Sequence, residues 1–296
     1  MLLTAENLTK KFGMYTAVNQ LDLTIKDNEC IALLGPNGAG KTTTLQMLAG
    51  LLTPTSGKIS FLGKDNIDRR FIGYLPQYPA FFPWMSAKEY LQFSGRVSGV
   101  TKKELQEKIE DMLSFAGLED AKNKRIGGFS GGMKQRLGLA QAMIHEPKLL
   151  ILDEPVSALD PSGRRDVLKM MNELKKKMTI LFSTHVLHDA EQVCDEIVML
   201  RSGKVKWFGN LKDLRKRQGE NRVILEVKEE IGKWLGEKSY VAECSFSSSR
   251  AVELRLQNAE SRNQLLSDCM EKDLTITHFS EKGRSLEEAY LELMEQ

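Results

Sequence analysis

Cysteine is scarce in this chain. Four occur in 296 residues, at Cys30, Cys194, Cys244 and Cys269, and none forms a C-x-x-C pair. That spacing excludes a disulfide framework and a cysteine zinc site, and it fits a reducing, cytoplasmic setting. Long apolar runs are missing as well. No stretch reaches the roughly 18 apolar residues of a membrane-crossing helix, so no direct membrane insertion is expected, and any service to a membrane would run through another chain. Residues 1–11 lack the basic start, apolar stretch and small-residue cleavage site of a secretory signal. Nor is one sign of charge in excess: 42 Lys plus Arg stand against 40 Asp plus Glu. This removes the global field that would draw the chain onto nucleic acid or anionic lipid, and no nucleic-acid partner is expected.

What is present is ordinary for a globular protein, with 41% hydrophobic and 28% charged residues, and the length suits two domains. The first ~210 residues alternate short apolar runs with helical patterns, which predicts an α/β sheet with helices packed on it. Three runs, 31–34, 149–152 and 179–183, each end at a polar cluster, as expected where ligands sit at the carboxyl ends of strands. From Ser86 the period becomes helical, with Tyr90, Leu91, Ser94, Leu105, Ile109, Met112 and Leu113 at three- and four-residue spacings, predicting a helical subdomain over about 86–145. A turn at Ser202-Gly203, a basic segment 212–217 and a linker at 219–221 then close a first domain, 1–218. The remainder, 219–296, reads strand (222–228), short helix, strand (240–246), strand (251–256), helix (259–270), strand (274–279), the order of a small α+β, ferredoxin-like unit. A last helix opens on the capping pair Ser285 and Glu288, with Leu286, Ala289, Tyr290 and Leu293 on one face.

The segment Gly35-Pro36-Asn37-Gly38-Ala39-Gly40-Lys41-Thr42-Thr43 follows one apolar run and precedes Leu45, Met47 and Leu48, the strand-to-helix placement of a phosphate-binding P-loop. Its glycines let backbone N–H groups turn inward toward phosphate oxygens, with the positive end of the following helix behind them. Lys41 is expected to reach the β- and γ-phosphates, the Thr42 hydroxyl to ligate Mg²⁺ and Thr43 to bond the α-phosphate. Further on, residues 149–152 run into Asp153-Glu154-Pro155, a buried strand delivering two carboxylates. Asp153 is expected to hold Mg²⁺ in its second shell and Glu154 to polarise the attacking water as general base.

At this point the chain is similar to the nucleotide-binding subunits of ATP-binding cassette (ABC) transporters, over roughly residues 1–210. Phe129-Ser130-Gly131-Gly132-Met133 resembles the signature sequence, with Phe129 and Met133 where leucine and glutamine are common. Gln77 resembles the Q-loop glutamine, Ser157-Ala158-Leu159-Asp160 the D-loop, and His185 in Ser183-Thr184-His185 the switch histidine. The resemblance implies ATP and Mg²⁺ as ligands and a P-loop NTPase cassette as fold. It implies Lys41, Gln77, Glu154 and His185 in catalysis, Gln77 beside Thr42 and Asp153 at the metal, and Asp160 at the nucleotide. It also implies a head-to-tail dimer, homomeric or with a paired ABC ATPase, in which Ser130, Gly131 and Gly132 of one copy close on the P-loop of the other. Independently, those three precede a helical pattern and form a second anion site. Phe12 lies where the family places an aromatic ring against adenine, and Tyr15 is its rival. His145, His188 and His278 have no such support and are read as structural.

Residues 78–85, Tyr78-Pro79-Ala80-Phe81-Phe82-Pro83-Trp84-Met85, are densely aromatic. Two readings stay open: a groove receiving a short helix of a membrane-spanning permease, or core packing of the helical subdomain. The ending Ser285-Leu286-Glu287-Glu288-Ala289-Tyr290-Leu291-Glu292-Leu293 resembles the last helix of ATPases from exporters of drugs, peptides, lipids or ions, and equally a plain docking helix. The expectation is thus an ATPase on the inner face of the cell membrane, held there by a permease. A soluble, non-transport ABC ATPase and an import-type ABC ATPase are the alternatives. A GTPase is excluded because Asn123-Lys124-Arg125-Ile126 fails the Asn-Lys-x-Asp base reader, and a non-catalytic regulatory module because Glu154 and His185 are both present.

Overall fold

The computed structural model describes residues 1–157, 159–210, 213, 221–258, 260–281 and 290–291. It divides into two compact units, Met1–Gly209 and Asn210–Gln296. The expected boundary at 218/219 lies outside the described residues, as do Ala158, the basic segment apart from Asp213, and the expected closing helix apart from Tyr290 and Leu291.

Along the first unit run β1 (Leu3–Phe12), β2 (Tyr15–Ile25), β3 (Cys30–Leu34), α1 (Lys41–Leu48), β4 (Ser56–Phe61), β5 (Ile72–Leu75), α2 (Ala87–Val97), α3 (Lys102–Phe115) and α4 (Gly131–Met143). Then come β6 (Leu149–Leu152), α5 (Pro161–Leu174), β7 (Thr179–Thr184), α6 (Leu187–Val193), β8 (Glu196–Arg201) and β9 (Lys204–Asn210). β1 pairs antiparallel with β2 and β4 in a three-stranded sheet. The main sheet runs β5-β6-β7-β3-β8-β9, and its first five strands are parallel. Parallel strands are covered on both faces and so read as unbroken apolar runs. All of Ile31, Ala32, Leu33, Leu34, Leu149, Leu150, Ile151 and Leu152 are fully buried. Each leucine or isoleucine removed from water in this way stabilises the fold by roughly 1.5–3 kcal/mol. Since β5, β6, β7 and β3 are neighbours pointing the same way, their carboxyl ends line one edge, and the segments after them meet there.

The helices of the expected subdomain form where the spacing placed them. Ser86 opens α2 with a reciprocal cap: its hydroxyl accepts from Glu89 N at 3.2 Å and its own N–H donates to Glu89 Oε2 at 2.8 Å. Tyr90, Leu91, Leu105, Ile109 and Leu113 are buried where α2, α3 and α4 pack together, while Ser94 and Met112 are half-buried. Glu110 of α3 ties the group together, taking Lys88 Nζ at 2.7 Å and Lys122 Nζ at 2.8 Å. These two cations, Lys122 first, hold its carboxyl down at about 2.

The second unit contains β10 (Arg222–Val227), β11 (Val241–Ser248), β12 (Ala251–Leu256), α7 (Ser261–Glu271) and β13 (Ile276–Glu281). Its antiparallel sheet runs β11-β12-β10-β13, which is the ferredoxin-like arrangement. Val223, Leu225, Val252 and Leu254 face Leu265 and Cys269 of α7 in its core. Two local readings change. The first crossover is a 3₁₀ stretch, Lys233–Glu237, in place of a regular helix. The last strand starts at Ile276, not Leu274, because Asp273 takes φ +52 and Leu274 N donates back to Cys269 O at 3.0 Å, closing α7.

Candidate active site

β3 ends at Leu34 and α1 starts at Lys41, so the loop between them must turn the chain from sheet to helix with no room to spare. Gly40 stands at φ +99, and a β-carbon there would lie 2.4 Å from the Ala17 carbonyl oxygen. Only glycine fits that position. The first N–H groups of α1 are at the positive end of its dipole. They border a cavity of about 380 Å³ lined by Gly38, Lys41, Thr42, Thr43, Gln77 and Glu154, with Phe12 and Tyr15 at its rim. Both rings are more than half exposed, Phe12 carries Lys10 Nζ 5.2 Å from its centroid, and the Tyr15 hydroxyl donates to Gly38 O at 3.4 Å. The choice between them for a base stack therefore stays open on geometry.

Glu154 is the hub of the site. It follows β6 in a left-handed backbone conformation, φ +44, which is rare for a side chain of this size. Only 8% exposed, it gathers three partners contributed by three other segments. Gln77 Nε2 donates to its Oε2 at 3.3 Å, His185 Nδ1 lies 3.2 Å from the same oxygen, and Lys41 Nζ lies 3.4 Å from Oε1. The Lys41 ammonium also donates to the carbonyls of Gly35 at 2.8 Å and Pro36 at 3.3 Å, so this buried cation is matched by oxygens on several sides. Three of the four residues expected in catalysis thus converge on the carboxylate of the fourth.

Asp153, 1% exposed, accepts from the Ser183 hydroxyl at 2.6 Å through Oδ1, and Ser183 Oγ in turn accepts from Glu154 N at 2.9 Å. Burial, and next the Asp153 carboxylate, push the neighbouring Tyr74 phenol up to about 12. It stays neutral and is no candidate base.

The remaining expected residues do not join this cavity. Ser130 is exposed and caps α4, its hydroxyl accepting from Met133 N at 3.2 Å, with Gly131 and Gly132 in the first turn behind it. Asp160, also exposed, caps α5 by accepting from Gly163 N at 3.2 Å. A contact that sequence reading missed joins the segments behind the D-loop and the switch histidine. Arg164 of α5 donates through Nε at 2.8 Å and Nη2 at 2.6 Å to Oδ1 of Asp189 on α6, a fully buried carboxylate. Nothing local announces it. Ser183 left a fainter signal, as a hydroxyl at the polar end of an apolar run.

A magnesium ion fits the donors present. Thr42, Asp153 and Gln77 offer only hard oxygen ligands, and among the described residues no group of three or more His, Cys, Asp and Glu forms a cage. Mg²⁺ suits such a set, because it keeps waters and takes one or two protein oxygens plus substrate phosphate. Among the described residues no helix is long and apolar enough to cross a membrane.

Comparison with known proteins places both halves of the chain. A family model described as ABC transporter matches residues 18–157, and one described as ATP-binding protein DrrA1-3-like, C-terminal domain, matches residues 209–294. The uncharacterized ABC transporter ATP-binding protein YxlF of Bacillus subtilis (strain 168) is 56% identical across 99% of this chain and 99% of its own. The bacitracin transport ATP-binding protein BcrA of Bacillus licheniformis is 39% identical across 76% of this chain and 74% of its own. Among solved structures, the ATP binding subunit of an ABC transporter is matched with a TM-score of 0.67 at 34% identity, over 74% of this chain and 94% of that one. A dimeric, post-hydrolysis state of the ATP-binding cassette MJ0796 bound to ADP and Pi gives 0.65 at 26% identity, over 71% and 99%. The last of these was caught with hydrolysis products in place, on the same fold that here gathers Lys41, Gln77 and His185 around Glu154. The chain therefore belongs to the family of ABC transporter ATP-binding proteins, ATP hydrolases of the kind that carry a DrrA1-3-like C-terminal domain.

Proposed function

We propose that this chain is the ATP-hydrolysing subunit of a membrane exporter, working as a dimer against a separate permease. The observation that carries the proposal is the convergence of Lys41, Gln77 and His185 on the buried Glu154 at the mouth of the phosphate-loop cavity. In this reading the N–H groups of residues 38–43 and the Lys41 ammonium bind the phosphates, and Phe12 or Tyr15 covers the base. Thr42 and Gln77 would hold Mg²⁺, with Asp153 in its second shell, and the ion would supply charge neutralisation at the phosphates. Glu154 takes the proton of the attacking water, oriented by His185 through the contact at 3.2 Å. Ser130, Gly131 and Gly132, away from the cavity of their own chain, cover the phosphates of a second copy, with Asp160 at the same junction. The dimeric MJ0796 cassette supports this arrangement.

The permease contact is assigned to the aromatic run. Tyr78 is 73% and Trp84 64% exposed, while Phe82 bridges Trp84 at 5.2 Å to Tyr90 at 6.3 Å and Phe93 at 5.7 Å. Tyr90 anchors the cluster in the core and Trp84 presents it to the surface, which favours a docking patch over pure core packing. Through it the subunit would sit on the inner face of the membrane. Export is favoured by relatives named for bacitracin transport, linearmycin resistance and Nod factor export. The test is Glu154→Gln: ATP binding retained, turnover reduced about 10²–10⁴-fold, and an ATP-trapped dimer on gel filtration. Full turnover in this variant sinks the reading. Trp84→Ala should leave basal ATPase intact and weaken membrane association, and undiminished association returns the aromatic run to the core.

A further inference from the structure

Ser183 is the penultimate residue of β7, its side chain fully buried, yet it touches both carboxylate-bearing residues at the tip of β6. Its hydroxyl has one proton to give and lone pairs to accept with. The Glu154 N–H can only donate, so at 2.9 Å Ser183 Oγ accepts. The serine proton must then go to Asp153 Oδ1, at 2.6 Å. The direction of the chain is therefore fixed, from Glu154 N–H through the Ser183 hydroxyl to the Asp153 carboxylate, and each bond polarises the next.

Two effects follow at once. Asp153 is held through one oxygen, and the other would serve the hydration shell of a bound Mg²⁺. Glu154 is held at its left-handed turn, φ +44, by a bond to its own N–H, and that turn sends its carboxylate toward Lys41, Gln77 and His185. A small, fully buried hydroxyl thus sets the aim of two carboxylates that do different work.

We propose that Ser183 is a positioning residue for hydrolysis, coupling the orientation of Asp153 to that of Glu154 without touching substrate. The proposal rests on the roles assigned above to those two residues. Its test uses the full chain with Ser183→Ala and Ser183→Thr, reading ATPase kinetics, thermal melting, and the affinity for a fluorescent ATP analogue with Mg²⁺ and with EDTA.

Loss of a buried hydrogen bond to a charged group predicts that Ser183→Ala lowers kcat about tenfold with KM for ATP little changed. Affinity in EDTA should match the wild type, the gain in affinity on adding Mg²⁺ should shrink, and Ser183→Thr, which keeps the hydroxyl, should recover most of both. If the alanine variant does not fold, Ser183→Cys, a poor donor of similar size, is held to the same criteria. A kcat within twofold of wild type with an undiminished Mg²⁺ gain overturns the proposal. So does equal loss in the alanine and threonine variants, which would make shape and not the hydroxyl the cause. Asp153→Asn and Glu154→Gln run alongside: activity retained there refutes the site itself, whereas activity lost there and kept in Ser183→Ala refutes only the role of Ser183.

Discussion

Lys41→Met separates the two tasks that the structure gives one ammonium group. Lys41 is 6% exposed, 3.4 Å from Glu154 Oε1, and bonded to the carbonyls of Gly35 and Pro36. At that separation the gross attraction to Glu154 is about 5 kcal/mol for an effective dielectric near 20, but the cost of desolvating both charges offsets most of it. After substitution Glu154 keeps Gln77 and His185, while two loop carbonyls lose their donor. An expected destabilisation of about 1–3 kcal/mol follows, or a fall of several degrees in melting temperature at about 2–4 °C per kcal/mol for a unit of this size. Nucleotide binding gives the sharper readout. Losing charge-assisted bonds to the β- and γ-phosphates should weaken ATP about 10- to 100-fold, whereas AMP, lacking those phosphates, should bind the variant as it binds the wild type. Calorimetric titration of both nucleotides measures the difference. If ATP and AMP weaken equally, or neither weakens, the phosphates do not lie where Lys41 puts them and the site must be redrawn.

Three other substitutions probe separate parts of the argument. Gly40→Ala forces a β-carbon to within 2.4 Å of the Ala17 carbonyl at φ +99, so it should abolish ATP binding while the far-ultraviolet circular dichroism spectrum stays close to wild type. Arg164→Ala strands the fully buried Asp189 carboxylate and should cost about 3–5 kcal/mol of stability in urea denaturation; Asp189→Asn on top of it should restore part of the loss. Glu110, held down at about 2 from an ordinary 4.5 by Lys122 and Lys88, adds stability that is complete above pH 4.5 and disappears as the pH falls through about 2. Glu110→Gln should therefore flatten the acid limb of the melting curve between those values and leave its shape near neutrality unchanged.

The parts of the site that the sequence made legible are those whose physics is local. A phosphate loop is one short turn between a strand and a helix, and its glycines, lysine and threonines are consecutive from Gly35 to Thr43. Likewise Asp153 and Glu154 directly follow the apolar run that buries β6. The parts that stayed hidden depend on register and packing. Leu152 pairs with Phe182 in the parallel ladder, so the next residues along, Asp153 and Ser183, come side by side, and no pattern within either strand foretells that pairing. The Arg164–Asp189 bond joins two helices at a distance in sequence where no periodicity reaches. In the second unit the element order was readable but its edges were not, because a single left-handed residue, Asp273, decided where α7 stopped and β13 began.

The same division separates two groups of expected site residues within one chain. Lys41, Gln77, Glu154 and His185 are drawn together by four neighbouring strands with parallel carboxyl ends, and they are buried or half-buried around one cavity except for the more open His185. Ser130, Gly131, Gly132 and Asp160 are instead on helix starts that face solvent. The Ser130 and Asp160 side chains cap their helices, and the cap uses the acceptor side of the Ser130 hydroxyl against Met133 N, which leaves its proton to donate. A helix N-terminus with a serine proton and two glycines beside it is an anion site without an anion of its own. The cavity at residues 38–43, in turn, is lined by Lys41, Thr42, Thr43, Gln77 and Glu154 and by none of Ser130, Gly131, Gly132 and Asp160. Under the proposed function each surface has the chemistry that the other lacks; this is the physical case for two copies closing on two nucleotides, with dimerisation as the expected consequence of substrate binding.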